Sequence, residues 1–374
     1  MNVPKLRFKE FKDEWKKAQL SSFVNINPKN DSLPEKFIYI DLESVNNGLL
    51  TSRKIINKSE APSRAQRTII KNDILYQTVR PYQMNNLFIN SLDSTYPYIA
   101  STGYALLRTE ENPYFVYSIL HQKSFVNKVL DKCTGTSYPA ISANDLGAII
   151  VGLPSIKEQE KISRTFELLD KKIEHQFKKI EDLKLFKKSL ILDKKNNVNN
   201  WYEYKISDIL NITRGVVISK DDINANMDEE HIYPVYSSQT SNDGILGYDD
   251  NYDFDGKYLT WTTDGANAGK VFYRDGKFRC TNVCGVLYNK NNKFVNILTA
   301  ELLNIETPKH VSYVGNPKLM NNVMANIKVK LPPKSEERVL SGFLTIINNK
   351  IFYENLKLSK IIKLKKGLMQ NMFV

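Results

Sequence analysis

Two stretches of the chain place apolar residues at steps of three and four. The first runs from Ser155 to about Leu192 and sets Ile162, Phe166, Leu169, Ile173, Phe177, Ile180, Leu183, Phe186 and Leu190 on one stripe. The second sets Leu340, Leu344, Ile347, Ile351, Leu358, Ile361 or Ile362, Leu364 and Leu368 on a similar stripe, with charged residues between them. That spacing is the seam of a coiled coil. Pro154 and Pro332-Pro333 stand just ahead of the two runs, where a missing amide proton costs little, and Ser155 and Ser335 are the expected N-caps. Each helix should have roughly 38 residues and a length of about 55 Å at about 1.5 Å per residue. A rod of that length with one apolar stripe does not hold its shape alone. Packing the two on each other buries both stripes, in antiparallel sense because a whole globular segment lies between them. The polar stretch 193–200 reads as a linker.

The two runs are copies. An offset of 178 residues carries Pro139 onto Pro317, Ile141 onto Leu319, Leu153-Pro154 onto Leu331-Pro332, Glu158 onto Glu336, Ile162 onto Leu340, Phe166 onto Leu344 and Lys187-Lys188 onto Lys365-Lys366. An offset of 186 carries Trp15 and Leu20 onto Trp201 and Ile206. A period this long repeats a whole module, so the function should also come in two halves. Within the modules, 37–40, 69–75, 105–107 and 233–236 read as strands. Segments near 113–130 and 294–305 read as helices, and Asn242-Asp-Gly244, Asp255-Gly256, Asp264-Gly265 and Asp275-Gly276 as turns. The expected fold is α+β: two globular α/β domains separated by a pair of long antiparallel coiled-coil helices, with a pseudo-two-fold internal repeat. The expected boundaries are a first globular domain at 1–154, a first spacer helix and linker at 155–198, a second globular domain at 199–333 and a second spacer helix at 334–374.

With 374 residues, each half is long enough for its own core. Cys133, Cys280 and Cys284 form neither a disulfide framework nor a Cys-x-x-Cys pair, which fits a reducing cytoplasm. The N-terminus lacks the apolar run of a signal peptide, and no stretch is long and apolar enough for a membrane span. The net charge of +12 points to a polyanionic partner, but its distribution is uneven. The four expected segments carry +5, +4, −2 and +5 in chain order, so bulk basicity cannot make the second globular half a nucleic-acid binder.

No catalytic residue and no metal site emerge from the motifs. The four histidines, at 121, 175, 231 and 310, have no metal-ligand spacing. Gly265-Ala-Asn-Ala-Gly269-Lys270 is one residue short of a phosphate loop and has Val271 where the magnesium-binding hydroxyl belongs, so it reads as a hairpin. Asn112-Pro113-Tyr114-Phe115 reads as a helix start. Asp255 and Lys257, with Asp243, Asp249 or Asp250 upstream, leave a magnesium-dependent nuclease as an alternative, and a coiled-coil adaptor without DNA affinity is another.

What remains is a polar surface. In the first half, Arg53, Lys54, Arg64, Arg67, Lys71 and Arg80 suit phosphates or guanine edges, and Gln83 suits adenine. Thr136 and Tyr138, in the segment before the repeated strand, join them as candidate contacts. In the second half Ser237, Ser238, Gln239, Asn242, Thr262 and Thr263 offer hydroxyl and amide readers with little charge, and Lys270 adds a cation.

Together these features resemble the specificity subunit of type I restriction-modification systems. The resemblance rests on Val3-Pro-Lys-Leu-Arg-Phe8 with Phe11 and Trp15, on Thr134-Gly-Thr through Leu153-Pro154 followed by Glu158-Gln159, and on the repeated terminal helix. It spans essentially the whole chain; the second copy departs from the first in having Asn316 for Tyr138 and Glu337 for Gln159. The resemblance implies a noncatalytic subunit whose two target-recognition domains read the halves of a split double-stranded DNA site. Its seam residues, Ile162, Phe166, Leu169, Ile173, Ile180, Leu340, Leu344, Ile347, Ile351 and Leu358, then belong to a ruler. It further implies two methyltransferase subunits and, through them, nuclease-translocase subunits. S-adenosylmethionine, ATP and magnesium belong to those partners, and this chain needs no cofactor of its own.

Overall fold

The computed structural model describes residues 3–29, 32–46, 48–135, 137–197, 200–289 and 291–374. Two compact units divide the chain: Met1–Phe177 with Leu356–Val374, and Lys178–Asn355. Each unit therefore joins a globular half to part of both long helices.

The long helices span Ile156–Asn197 and Lys334–Asn371, 42 and 38 residues. On the second, Leu340, Leu344, Ile347, Ile351, Glu354, Leu358, Ile361, Lys365 and Leu368 are buried or half-buried, an unbroken alternation of four and three. The first repeats it through Ile162, Phe166, Leu169, Ile173, Gln176, Ile180, Leu183, Lys187 and Leu190. This strict 3.5-residue period is what a coiled-coil seam requires. It corrects the expected stripe at three positions: Phe177, Phe186 and Leu364 are 45%, 58% and 54% exposed. Gln176, Lys187 and Lys365 take the inward places beside them. Helical register outweighs side-chain polarity here, and the inward charges are paired. Lys187 reaches Glu301 at 2.8 Å and Asn348 at 3.1 Å, Lys179 reaches the buried Glu354 at 2.9 Å, and Lys365 reaches Asp170 at 2.5 Å. Within each unit, rising numbers on the first helix meet falling numbers on the second, so the packing is antiparallel. The second helix begins at Lys334, which puts Ser335 inside its first turn instead of at the cap. The first continues to Asn197 and takes in most of the expected linker.

In the first unit a lead-in strand, Lys16–Gln19, pairs antiparallel with Ile150–Leu153 just before the helix. One four-stranded sheet has the order Lys54–Asn57, Lys36–Ile40, Tyr98–Ser101, Ala65–Ile69. A second has the order Val24–Ile26, Tyr104–Thr109, Ile74–Gln77, Leu87–Phe88. The expected strand at 69–75 is thus the end of one strand and the start of another, because Asn72 turns the chain with φ 72°. Asn112 caps the helix Pro113–Leu120, accepting a 3.0 Å bond from the Phe115 N–H with proline at the first helical position. The core gathers Trp15, Phe115, Phe166 and Phe373.

The second unit repeats the frame. Tyr202–Lys205 pairs antiparallel with Lys328–Leu331, at the same two offsets that relate the sequences. The backbone N–H of Leu20 donates to Ile149 at 2.9 Å, and that of Ile206 to Ile327 at 3.0 Å. The remaining strands form a six-stranded sheet: Asn211–Arg214, Cys284–Tyr288, Phe254–Thr262, Val271–Cys280, Tyr233–Tyr236, Ile245–Asp249. Two expected turns disappear into it. Asp255-Gly256 and Asp275-Gly276 lie mid-ladder, with Asp255 opposite Lys277, Gly256 opposite Gly276 and Lys257 opposite Asp275. Antiparallel pairing of two Asp-Gly-Lys runs sets opposite charges across from each other, and both glycines take positive φ, 115° and 106°, that few other residues tolerate. The reversal occurs instead at Gly265–Gly269, the expected hairpin.

Candidate functional site

In the first unit the backbones of Thr134 and Ala140 bond in both directions at 2.9 Å, closing a loop from which Tyr138 stands 65% exposed. Thr136 lies outside the described residues. The chain end after Ile74–Gln77 lies against this loop: Ile141 N–H donates to Thr78 at 3.1 Å and Arg80 N–H to Pro139 at 2.7 Å. Arg80 takes φ 53° and lays its guanidinium 4.4 Å from the Tyr138 ring centroid. Behind it the buried Gln77 donates to the Val79 carbonyl at 2.7 Å and to Gln83 at 2.9 Å, and accepts from the Asn85 N–H at 3.2 Å. The Gln77 N–H donates to the buried Asn86 at 2.8 Å. Arg80, Gln83 and Tyr138 are therefore gathered by one buried amide and one closed loop, with Tyr82 and Met84 exposed on the same turn.

The remaining basic candidates lie on other elements of the first unit. Lys54 and Arg67 sit on the two outer strands of the first four-stranded sheet. Arg53 pairs with Asp93 at 3.0 Å and Lys54 with Asp41 at 3.2 Å, while Arg64 and Lys71 are exposed. Arg67 is half-buried with its Nε unpartnered, and burial pulls its guanidinium below the ordinary value.

In the second unit three loops converge. Ser238 Oγ donates to the Val283 carbonyl and accepts from the Thr263 and Asp264 N–H groups at 3.1 and 3.2 Å. Thr281 donates to Ser237 at 2.9 Å, Gln239 donates to the Ile245 carbonyl, and Asn267 donates to Thr240 at 3.0 Å. Thr262 and Thr263 are buried, their hydroxyls committed to Asn267 and Val283 carbonyls. The reading of these two threonines as base contacts gives way: they fasten the loops and leave no group facing outward. Ser237, Ser238 and Gln239 are half-buried and do similar work. What the cluster presents is Ser241, Asn242 and Asp243, all exposed, with Lys270 exposed on the neighbouring hairpin.

Sequence reasoning missed Arg274, a buried side chain behind that loop, and Asn267, which ties two loops together. An arginine among aromatic residues in Phe272-Tyr273-Arg274 is the one signal that could have marked it. The acids weighed for a nuclease are engaged elsewhere: Asp243 on Arg274 at 2.7 Å, Asp249 on Arg279 at 2.8 Å, and Asp255 opposite Lys277 in the ladder. Among the described residues no group of three or more His, Cys, Asp or Glu is placed to hold a metal, and no helix is long and apolar enough to cross a membrane.

The type I restriction modification DNA specificity domain matches this chain twice, over residues 12–185 and 199–364. The chain belongs to the type I specificity family. A putative type I specificity subunit of Mycoplasma pneumoniae is 38% identical over 216 residues, 55% of this chain and 78% of the relative. The MpnII type I restriction enzyme specificity subunit of the same organism is 44% identical over 142 residues, 38% of this chain and 42% of the relative. Among solved structures, the S subunit of a type I system from M. genitalium superposes over 100% of this chain and 99% of its own, with a TM-score of 0.65 at 16% identity. A chain from a study of type I complex assembly and conformational transition gives 0.52 at 18% identity, over 95% and 96%. The structural likeness shows the fold, and the sequence match shows the family. Type I specificity subunits are the noncatalytic, DNA-sequence-recognising component of restriction-modification complexes, and neither the nuclease nor the adaptor reading is supported.

Proposed function

We propose that the globular halves, 1–154 and 199–333, each read one half of a split double-stranded DNA target, and that the helices at 155–198 and 334–374 set the gap between the half-sites. One observation carries this reading: a frame repeated down to matched backbone hydrogen bonds holds a different polar loop cluster in each half. Arg80, Gln83 and Tyr138 are the first half's readers, and Asn242 with Lys270 the second's. Arg53, Lys54, Arg64, Arg67 and Lys71 are phosphate contacts, which fix position without carrying sequence. Two tethered readers gain affinity only when both half-sites fall at the right separation and helical phase.

The partners are two methyltransferase subunits, which bring S-adenosylmethionine and extract the target base, and through them the ATP- and magnesium-dependent nuclease-translocase, in the cytoplasm. Exposed apolar residues on the long helices suit their docking: Leu185 and Phe186 on the first, Val339, Phe343 and Ile346 on the second. A binding selection over randomised duplexes, with the methyltransferase partner present, should return a bipartite motif with a fixed unspecified gap. Removing seven residues from each helix, which keeps the seam in register, should shorten that gap. A continuous motif, or none, overturns the proposal.

A further inference from the structure

Arg274 lies in the strand Val271–Cys280 and is 4% exposed. An arginine so deeply placed is rare unless its nitrogens are partnered, and here each of the three has a partner. Nε donates to Thr260 Oγ at 3.2 Å, one terminal nitrogen to the Asp243 carboxylate at 2.7 Å and the other to the Asp243 carbonyl at 2.7 Å. The guanidinium also lies against two aromatic rings, 3.7 Å from the Tyr236 centroid and 4.5 Å from that of Phe272. Every bond but one goes to the turn that carries the exposed tip.

That turn needs holding. Asn242, Asp243 and Gly244 follow one another at φ 48°, 54° and 81°, a left-handed run that Asn and Asp tolerate better than other side-chain-bearing residues but that glycine alone adopts freely. At Gly244 an added Cβ would lie 3.0 Å from the Arg274 terminal nitrogen and 3.3 Å from the Gln239 carbonyl, so the guanidinium occupies the space a side chain would take. The Asp243 carboxylate is itself largely exposed, on a loop proposed to approach a polyanion.

Resting on the split-site reading, we propose that Arg274 is the positioning residue of the second reading domain. It fixes the 237–244 loop so that Asn242 meets a base edge, and it neutralises the Asp243 carboxylate that would otherwise repel phosphate. Arg274 touches no DNA in this arrangement. Asn242, whose amide both donates and accepts, is matched to adenine in the major groove.

The test uses the full chain with its methyltransferase partner, comparing binding selections and affinities across salt for R274K, R274A, N242A and the double variant R274A/D243N. N242A alters an exposed tip and keeps the test open if an Arg274 variant fails to fold. N242A should lower discrimination at one position of one half-site by between about fivefold and about a hundredfold, the span of a lost bidentate base contact. R274K should blur the same half-site while the other keeps its preference. R274A/D243N should recover affinity over R274A alone without recovering preference, and with the wild-type salt slope. A slope lower by about one unit would instead mean that Arg274 contacts a phosphate, and would overturn the assignment. A bipartite preference untouched by all four variants overturns it as well. Loss of any bipartite preference in the unaltered chain sinks the split-site reading itself.

Discussion

The two globular halves are one frame finished in two ways. Thr134 and Ala140 bridge in the first and Ser312 and Lys318 in the second, each pair bonded both ways at 2.9 Å. Against the first lies Thr78-Val79-Arg80, with Arg80 N–H donating to Pro139 at 2.7 Å; against the second lies Thr263-Asp264-Gly265, with Gly265 N–H donating to Pro317 at 2.9 Å. At this matched backbone position one half has arginine at φ 53° and the other glycine at φ 91°. Where the frame needs a left-handed residue, glycine meets the need without strain, and arginine does so at a cost. The left-handed Arg80, its guanidinium 4.4 Å from the exposed Tyr138 ring, carries a backbone cost that the second half's glycine does not.

The junctions with the helices differ in the same manner. Glu158, 1% exposed, takes two 2.8 Å bonds from Arg7, whereas its half-buried counterpart Glu336 accepts from the Trp201 indole at 3.2 Å. Gln159 donates to Glu111 at 2.8 Å and to the Pro154 carbonyl at 3.0 Å; in its place Glu337 is half-buried, and burial holds its carboxyl above the usual range. The first half has thus built its junction from buried polar bonds and the second from looser ones.

The largest effect should come from Arg7→Ala. It strands a buried carboxylate and should cost about 3–5 kcal/mol in chemical denaturation, against less than about 1 kcal/mol for Glu336→Gln. Equal losses would erase the contrast.

Acid should separate the halves next. His121 packs beside Asn86, Tyr117, Asp170 and Lys365; burial first, and the Lys365 charge after it, pull its pKa down to about 4. A depressed histidine binds fewer protons folded than unfolded, so its stabilisation is complete above about 6.5 and is lost as pH falls towards 4. The loss is at most about 3 kcal/mol. Hydrogen exchange should show the first unit loosening in that window, and His121→Gln should remove the dependence. At the matched position, 178 residues on, the second half has Thr299, whose hydroxyl carries no charge in this range.

The smallest effect sharpens the comparison most. Arg80→Gly should raise thermal stability by up to about 1 kcal/mol while weakening discrimination in one half-site, and Gly265→Ala, with nothing within 4 Å of its added Cβ, should lower stability by about 1 kcal/mol. A loss of stability in Arg80→Gly would mean that the stacking on Tyr138 outweighs the backbone strain.

The repeat, the two long helices, the helix start at Asn112-Pro113 and the hairpin at Gly265–Gly269 were legible in the residues. Each is set by local chemistry: periodic burial, a side chain bonding its own backbone, proline and glycine at positions of fixed φ. What the residues could not show is where a register overrides composition. Gln176, Lys187 and Lys365 lie on the seam because helical period fixes which residue faces inward, and partners distant in sequence then satisfy them. Asp255-Gly256 and Asp275-Gly276 have turn chemistry but pair in a ladder, since each supplies the opposite charges that the other's strand needs. Likewise the polarity of Thr262 and Thr263 suggested readers, whereas Arg274, an ordinary basic residue in the sequence, lies buried behind the loop. Hydrogen bonds are spent inward or offered outward according to what the fold packs behind them, and only tertiary structure decides that.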